Sequence, residues 1–317
     1  MKKAIIFIMT LVLLLVGCKS HNNKSLNLKV GTWKTAQTIQ PFFYNDYINS
    51  NHTVEAVPFT NPGDMKTALL AGELNFCGTT LVTAITAASN GEPIVLVAGL
   101  ANRCSALVVG KDSGVEKEAD LKGKRIAYVP GTMHHLLLLE VLSSNGIDVE
   151  KDVELIRIDF FDMVQALGLG IIDAFYSGEP YPSIAVVEGC GRVLTYPTLE
   201  DNLGEINAAM ITTKEEIKNN PEGIQALVDA HVATTIKLND DRDTWLKAAG
   251  ELGTRKEVLD IAVDNMELIY DIDDDYIHHV KALAGRMLEQ GMIQQLPDFD
   301  HLFDLSFLKK SMEKDLK

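Results

Sequence analysis

The stretch Arg125-Ile126-Ala127-Tyr128-Val129-Pro130-Gly131-Thr132-Met133-His134-His135 decides the fold of this chain, and the apolar run Leu136 to Leu139 follows it. A short β-branched and aromatic run stops at Pro-Gly, and the apolar segment after it ends near Asn145-Gly146. This pattern predicts a strand, a tight turn and a helix. The first N–H groups of a helix have no partner within the helix and lie at the positive end of its dipole. We therefore expect the turn at Gly131 and Thr132 to bind an oxyanion.

The features of this stretch occur twice in the chain. Near the N-terminus, the apolar run Leu28-Lys29-Val30 again leads into Gly31-Thr32-Trp33 and a helix-like segment. Residues 64–72 and 162–170 share the pattern Asp-Met-x-x-Ala-Leu-x-x-Gly, and each segment leads into a short strand. Because helix-glycine-strand joins are common in α/β proteins, coincidence is the alternative to a true internal repeat.

This order of features predicts an α/β protein with two similar lobes and mostly parallel sheets. We assign residues 28–105 and 213–317 to lobe one, and residues 106–212 to lobe two. The chain then crosses between the lobes twice, which predicts a hinge. The C-terminal part after residue 213 is helical in character and is expected to pack on lobe one. Ligands of open α/β sheets bind at the carboxyl ends of the strands.

The N-terminus has the pattern of an export signal. Met1-Lys2-Lys3 is basic, the segment from Ala4 to Val16 is almost wholly apolar, and Gly17-Cys18 closes it. The apolar run is shorter than the roughly 20 residues of a membrane-spanning helix. We expect residues 1–18 to be a lipoprotein signal peptide that ends at a lipidated Cys18, and residues 19–27 to form a tether. An uncleaved anchor is the alternative.

Composition excludes several classes of function. The 317 residues are 46% hydrophobic and 23% charged, with a net charge of −15, and no basic cluster occurs, so nucleic acid is not an expected partner. The remaining cysteines, Cys77, Cys104 and Cys190, lack metal-ligand spacing, and we predict no disulfide. The aspartates at 271–275 lack the glycine and spacing of an EF-hand and suit a helix cap. No metal, cofactor or catalytic residue is predicted.

Taken together, these motifs resemble the nitrate/sulfonate/taurine-type solute-binding proteins of ABC importers. The resemblance rests on four segments: the end of the signal peptide at Gly17-Cys18, Asp-Leu-Lys-Gly-Lys-Arg-Ile-Ala at 120–127, Gly-Thr-x-His at 131–134 and Asp-x-Ser-Phe-Leu at 304–308. It implies a type II periplasmic-binding-protein fold that closes over one small ligand. It also implies a monomer that is anchored by lipid to the extracytoplasmic face of the cell membrane and serves a permease and its ATPase.

The candidate ligand-binding residues lie at the ends of the predicted strands. The resemblance implies that Thr132 and His134 help to hold an anion and that Glu179 and Tyr181 belong to a Gly-Glu-Pro-aromatic turn. The remaining candidates come from strand-end position and the internal repeat: Thr32, Trp33, Gly78, Thr79, Thr80 and Gly131. Several of these residues have a structural alternative, namely core packing for Trp33 and His134, and helix capping for Thr79, Thr80 and Glu179.

Several functions remain open at this point. The leading hypothesis is a receptor for a small oxyanion such as a sulfonate, nitrate or bicarbonate. A receptor for a flat heteroaromatic, such as a thiamine-precursor pyrimidine, would instead use Trp33 and Tyr181 as stacking walls. An enzyme on the same fold and a lipoprotein that senses a ligand without transporting it are the further alternatives.

Overall fold

The computed structural model describes residues 25–48, 51–197, 203 and 205–315. The predicted signal peptide, Cys18 and most of the predicted tether lie outside these residues. Within the described part of the chain, no helix combines the length and apolar character that crossing a membrane requires.

The first part of the chain alternates strands and helices. Its elements are β1 (Leu26–Thr32), 3-10 turns at Ala36–Thr38 and Gln40–Phe43, α1 (Tyr44–Tyr47), β2 (His52–Pro58), α2 (Pro62–Leu70), β3 (Phe76–Thr80), α3 (Leu81–Ser89) and β4 (Ile94–Arg103). The next part has β5 (Ser105–Gly110), a 3-10 turn at Glu118–Leu121, β6 (Arg125–Tyr128), α4 (Met133–Ser144), β7 (Glu154–Arg157), α5 (Phe160–Gly168), β8 (Ala174–Gly178), α6 (Tyr181–Val187) and β9 (Gly191–Thr195).

The last part is mostly helical. It contains β10 (Ile206–Thr213), α7 (Lys214–Asn219), α8 (Pro221–Asp240), α9 (Arg242–Glu251), α10 (Lys256–Ala262), a 3-10 turn at Val263–Asn265, β11 (Met266–Leu268), α11 (Asp274–Glu289), α12 (Phe299–Leu302) and α13 (Ser306–Asp315). The side chain of Asp273 accepts a hydrogen bond from the backbone N–H of Tyr276 at 2.7 Å and so caps α11.

The strands form two sheets of the same design. One has the order β11-β4-β10-β3-β1-β2 and the other the order β7-β6-β8-β5-β9. In the first sheet β1 is parallel to β2 and β3, whereas β10 is antiparallel to β3 and β4. In the second sheet β6 is parallel to β7 and β8, whereas β5 is antiparallel to β8 and β9. Five strands of one sheet therefore correspond to the five of the other.

The shared Asp-Met-x-x-Ala-Leu-x-x-Gly segments occupy equivalent places in the two sheets. Met65 and Met163 are both fully buried, so each anchors its helix on its own sheet. Gly72 and Gly170 follow the C-caps of α2 and α5 with φ of 76° and 67°. An L-residue with a side chain rarely adopts this conformation, which explains the glycine at the end of each copy.

The sheets are mixed, whereas the sequence predicted mostly parallel ones. The antiparallel members β5 and β10 each follow a passage of the chain from one sheet to the other, after β4 and after β9, and need no crossover helix. The predicted limit of lobe two at residue 212 needs correction, because Ile206–Thr213 pairs with β3 and β4 of the first sheet. We propose that lobe two ends before residue 206.

The C-terminal part packs on lobe one, as predicted. The N–H of Asp304 donates to the carbonyl of Leu96 in β4 at 3.0 Å, and Gln225 of α8 donates to the carbonyl of Phe307 at 2.9 Å. The side chains of Phe307 and Leu308 are buried against this lobe. These contacts hold the C-terminal helices against β4 of lobe one.

Candidate ligand-binding site

A cavity of about 360 Å³ lies between the two lobes, where the carboxyl ends of β1, β3 and β8 meet the first turns of α2, α4 and α5. Its size suits a small organic molecule. The lining residues from lobe one and the returning strand are Trp33, Lys34, Thr35, Gln37, Thr38, Pro58, Phe59, Thr60, Pro62, Thr80, Ala101, Asn207 and Ala208. Cys104 lies at the crossing, and lobe two adds His134, Phe160, Phe161, Ser177, Gly178, Glu179 and Tyr181.

Half of the ten residues proposed from the sequence line this cavity. They are Trp33, Thr80, His134, Glu179 and Tyr181. Thr32, Gly78, Thr79, Gly131 and Thr132 do not line it. The Thr32 hydroxyl donates to the carbonyl of Thr38 at 2.7 Å, and Gly78 lies behind Trp33.

The hydroxyl of Thr132 forms its hydrogen bonds within the protein. The Thr132 hydroxyl donates to the carbonyl of Val129 at 2.8 Å and accepts from the N–H of His135 at 3.2 Å, so it acts as the N-cap of α4. Gly131 is exposed with φ of 71°, which explains the glycine in this turn. We therefore leave Gly131 and Thr132 out of the proposed site.

His134 is held in position by contacts with strand β5 and helix α5 of lobe two. Its Nδ1 lies 2.9 Å from the hydroxyl of Ser105, and its ring packs edge-on against Phe160. Nε2 has no hydrogen-bond partner among the described residues. Burial lowers the pKa of His134 to about 4, so the ring is neutral at pH 7 and can offer Nε2 to a ligand.

Glu179 is a buried carboxylic acid in the cavity wall, with 1% of its surface exposed. Its Oε2 accepts a hydrogen bond from the N–H of Ser183 at 3.2 Å, so the helix-capping alternative raised from the sequence holds for one oxygen. The Nδ2 of Asn265 lies 3.5 Å from the other oxygen. Burial raises the pKa of Glu179, which means that the neutral acid is favoured over the carboxylate more than usual.

Aromatic side chains form one wall of the cavity. Tyr181 stacks on Phe160 with ring centroids 6.2 Å apart and meets the edge of Phe161 at 5.6 Å. Trp33 and Phe59 line the cavity from lobe one. A flat or apolar ligand would therefore meet aromatic surface from both lobes.

Sequence reasoning missed Gln37, Asn207, Cys104, Phe160 and Phe161. The repeat contained a signal for Phe160, because α2 begins at Pro62 and α5 at Phe160, and both first residues line the cavity. Asn207 lies near the start of β10, and Cys104 lies between β4 and β5 at the first crossing. Only the fold brings these positions to the same cavity as Glu179 and Tyr181, because no local sequence motif marks them.

Few charges line the cavity. Lys34, whose side chain is exposed, is the one lysine or arginine of the lining, and Glu179 is the one carboxylic acid. Among the described residues, no group of three or more histidine, cysteine or acidic side chains could hold a metal ion. The chemistry of the site is therefore that of shape, aromatic contact and a few hydrogen bonds.

The thiol of Cys104 is buried in the cavity wall. Burial and the nearby Glu179 both raise its pKa, so the thiol remains protonated at pH 7. The chain at Arg103 and Cys104 has φ of 62° and 70°, an uncommon conformation for residues with side chains. This strained pair forms the first crossing between the lobes.

Two known proteins with similar sequences are described as putative aliphatic sulfonates-binding proteins. A putative aliphatic sulfonates-binding protein of Bacillus subtilis is 22% identical over 99% of this chain and 98% of its own. A protein of the same description from Escherichia coli is 30% identical, but the match spans only 44% of each chain. The first relative supports similarity over the whole length, and the second over less than half.

Solved structures confirm the predicted fold. The alkanesulfonate-binding protein SsuA from Xanthomonas axonopodis pv. citri, bound to MOPS, gives a TM-score of 0.77 at 19% identity, covering 88% of this chain and 98% of its own. The desulfurization enzyme DSZB gives 0.69 at 16% identity, covering 91% and 99%. The two-lobed periplasmic-binding-protein fold therefore occurs in both a binding protein and an enzyme.

The family model described as "NMT1/THI5 like" matches residues 49–237, well over half of the chain. These residues include β2 to β10 and most of the cavity wall. The chain belongs to the NMT1/THI5-like family.

Proposed function

We propose that this chain is the solute-binding component of an ABC importer and captures a small organic oxyanion, such as an aliphatic sulfonate, by hinge closure between its lobes. The observation that carries the proposal is the cavity between two sheets of the same design, joined by two crossings. The names of the Bacillus subtilis and Escherichia coli relatives support this ligand class.

The cavity favours an organic body over a small inorganic ion. A volume of about 360 Å³ lies within the range of small-molecule pockets, and aromatic rings from both lobes surround it. An alkyl chain would lie against Phe160 and Tyr181, while Lys34 and the Nε2 of His134 supply polar contacts for the anionic end. Nitrate and bicarbonate would leave most of this wall without contact.

A second candidate ligand is a flat heteroaromatic with amino groups, such as a thiamine-precursor pyrimidine. The buried Glu179 supports it, because a carboxyl group in an apolar wall binds an N–H donor better than an anion. Trp33 and Tyr181 would then stack on the ring from the two lobes.

Binding is a better match to the cavity than catalysis. Cys104 is the one thiol in the wall, and its raised pKa opposes the thiolate that a nucleophile needs. We further propose that the mature chain is a monomer, anchored at the extracytoplasmic face of the cell membrane through lipidated Cys18, with a permease and its ATPase as partners. A sensing lipoprotein would use the same cavity.

Calorimetric titration tests the proposal. The full chain, purified in detergent and unfolded and refolded to remove carried-over ligand, is titrated with alkanesulfonates, taurine, nitrate, bicarbonate and aminopyrimidines. Micromolar or tighter binding of a sulfonate, lost in Tyr181→Ala and kept in the exposed variant Tyr196→Ala, supports the proposal. Binding of aminopyrimidines alone selects the second candidate. If none of these compounds binds, both ligand classes are refuted.

A further inference from the structure

Gln37 connects the two lobes next to the cavity. Its Nε2 donates a hydrogen bond to the backbone carbonyl of Glu179 at 2.7 Å, and both residues line the cavity. Gln37 lies in the 3-10 turn Ala36–Thr38 of lobe one, whereas Glu179 follows β8 of lobe two. The bond therefore depends on the approach of the lobes to each other.

The same side chain carries an acceptor that nothing satisfies. The side chain is nine-tenths buried, with 9% of the residue exposed, and its Oε1 has no hydrogen-bond partner among the described residues. Leaving a buried acceptor without a partner costs free energy. The unpaired Oε1 destabilises the state in which the lobes are joined. In that state Nε2 is bonded to the carbonyl of Glu179, so the amide group cannot turn Oε1 toward another partner without breaking this bond.

Two other contacts between the lobes lie outside the cavity lining. Arg255 pairs with Glu188 at 3.2 Å, and Thr83 donates to the carbonyl of Gly131 at 3.3 Å. The side chains of Arg255 and Glu188 are about half exposed, so their attraction is weakened by water and salt. The bond of Gln37 is buried and adjoins the ligand cavity.

We propose that Gln37 is a specificity-determining residue of this site: Nε2 holds lobe two, and Oε1 accepts a hydrogen bond from an N–H or O–H group of the ligand. A ligand with such a donor satisfies the buried acceptor and so stabilises the joined lobes. A ligand without one leaves the acceptor unsatisfied. This inference rests on the proposed function and adds that the ligand carries a hydrogen-bond donor.

Gln40 provides a matched control. It lies three residues further along the chain, is fully buried, and donates from Nε2 to the carbonyl of Leu100 at 2.9 Å. Its Oε1 also lacks a partner among the described residues. Its bond stays within lobe one, however, and it does not line the cavity. The variants Gln37→Leu and Gln40→Leu thus remove similar groups from different places.

The test compares probes in which a methyl group replaces an amino group. Taurine is compared with propane-1-sulfonate, and 4-aminopyrimidine with 4-methylpyrimidine, by calorimetry on the full chain in detergent. We expect the wild type to prefer the amino member of the pair that binds, and Gln37→Leu to lose roughly tenfold of that preference. Gln40→Leu should keep it. No preference in the wild type, or a preference unchanged in Gln37→Leu, overturns the inference.

A second readout needs no ligand. Spin labels on Glu73→Cys and Glu150→Cys, in a Cys190→Ser background, report the distance between exposed positions on the two lobes. We expect a longer distance in Gln37→Leu than in the wild type, and no change in Gln40→Leu. Equal distances in all three proteins overturn the inference. If no probe binds the wild type, the proposed ligand classes fail, and this distance alone decides the role of Gln37.

Discussion

Gly178 and His134 are so close that a β-carbon on Gly178 would lie 2.9 Å from the imidazole Nε2. The same β-carbon would lie 3.2 Å from the thiol of Cys104. Gly178 therefore leaves the space that the ring of His134 occupies at the cavity wall. The closeness of His134 and Cys104 explains why no larger residue fits at this position.

Gly178→Ala should reduce ligand binding by displacing His134 from Ser105. We expect at least a tenfold loss of affinity and a loss of about 1–3 kcal/mol in the free energy of unfolding. Calorimetry and urea denaturation measure the two effects. Gly285→Ala is the control, because a β-carbon in that helix meets nothing within 4 Å. It should raise stability by about 0.5–1 kcal/mol and leave binding unchanged.

Thr132→Asp tests whether the N-cap residue of α4 contacts the ligand. Aspartate is a good N-cap, so the helix should form, with a loss of about 1 kcal/mol from the missing bond to Val129. Because Thr132 does not line the cavity, we expect sulfonate affinity within about twofold of the wild type. If Thr132→Asp abolishes binding, Thr132 contacts the ligand, as the sequence analysis predicted.

Glu179→Gln distinguishes the two ligand classes by pH. Burial raises the pKa of Glu179, and ionisation above that pKa places a negative charge in the cavity. The wild-type affinity for a sulfonate should therefore fall as the pH rises, and Glu179→Gln should remove this dependence. An aminopyrimidine should behave in the opposite way, binding better as the pH rises and more weakly in Glu179→Gln. A flat pH profile for both probes would contradict a role for Glu179.

Buried histidines should make the protein acid-sensitive. Burial lowers the pKa of both His134 and His231 from the ordinary 6.5 to about 4. The unfolded chain takes up protons below pH 6.5, whereas the folded chain does so only near pH 4. Stability is therefore full above pH 6.5, falls as the pH drops, and levels off below pH 4.

When the pH is lowered from 7 to 5, each of these histidines should reduce the free energy of unfolding by about 2 kcal/mol. His231 is fixed between the hydroxyl of Tyr44 at 2.8 Å and the carbonyl of Gly99 at 2.7 Å, so it is the better test. Urea denaturation of His231→Gln should show a smaller loss from pH 7 to pH 5. The exposed His278→Gln should lose as much as the wild type. Equal losses in all three would contradict this account.

The internal repeat made much of the fold predictable. Met65 and Met163 mark equivalent buried positions, and Gly72 and Gly170 mark equivalent helix ends. Local physics favours these features, because a helix often ends with a residue at positive φ, which glycine adopts without steric cost. The repeat did not reveal that β10 belongs wholly to the first sheet, since pairing along that strand depends on distant partners.

The site was less predictable than the fold. The position of Trp33 in the cavity wall was predicted because this residue directly follows the first strand, and that of Tyr181 because residues 178–181 resemble a Gly-Glu-Pro-aromatic turn. Thr132 was expected to serve a ligand, but its hydroxyl is used as a cap, and the sequence pattern is the same in either case. Gln37 had no signal, because its importance comes from a bond to a residue 142 positions away.

The central claim is that the cavity between the lobes binds the ligand, and the fluorescence of Trp33 tests it most directly. Trp33 lines the cavity, whereas Trp245 is buried with its Nε1 bonded to the carbonyl of Ala36 at 2.8 Å. The ligand that binds in calorimetry should change the emission of the wild type, saturating at the same concentration, and should cause no change in Trp33→Phe. Calorimetric binding without a change in emission, or with the same change in Trp33→Phe, would contradict the claim.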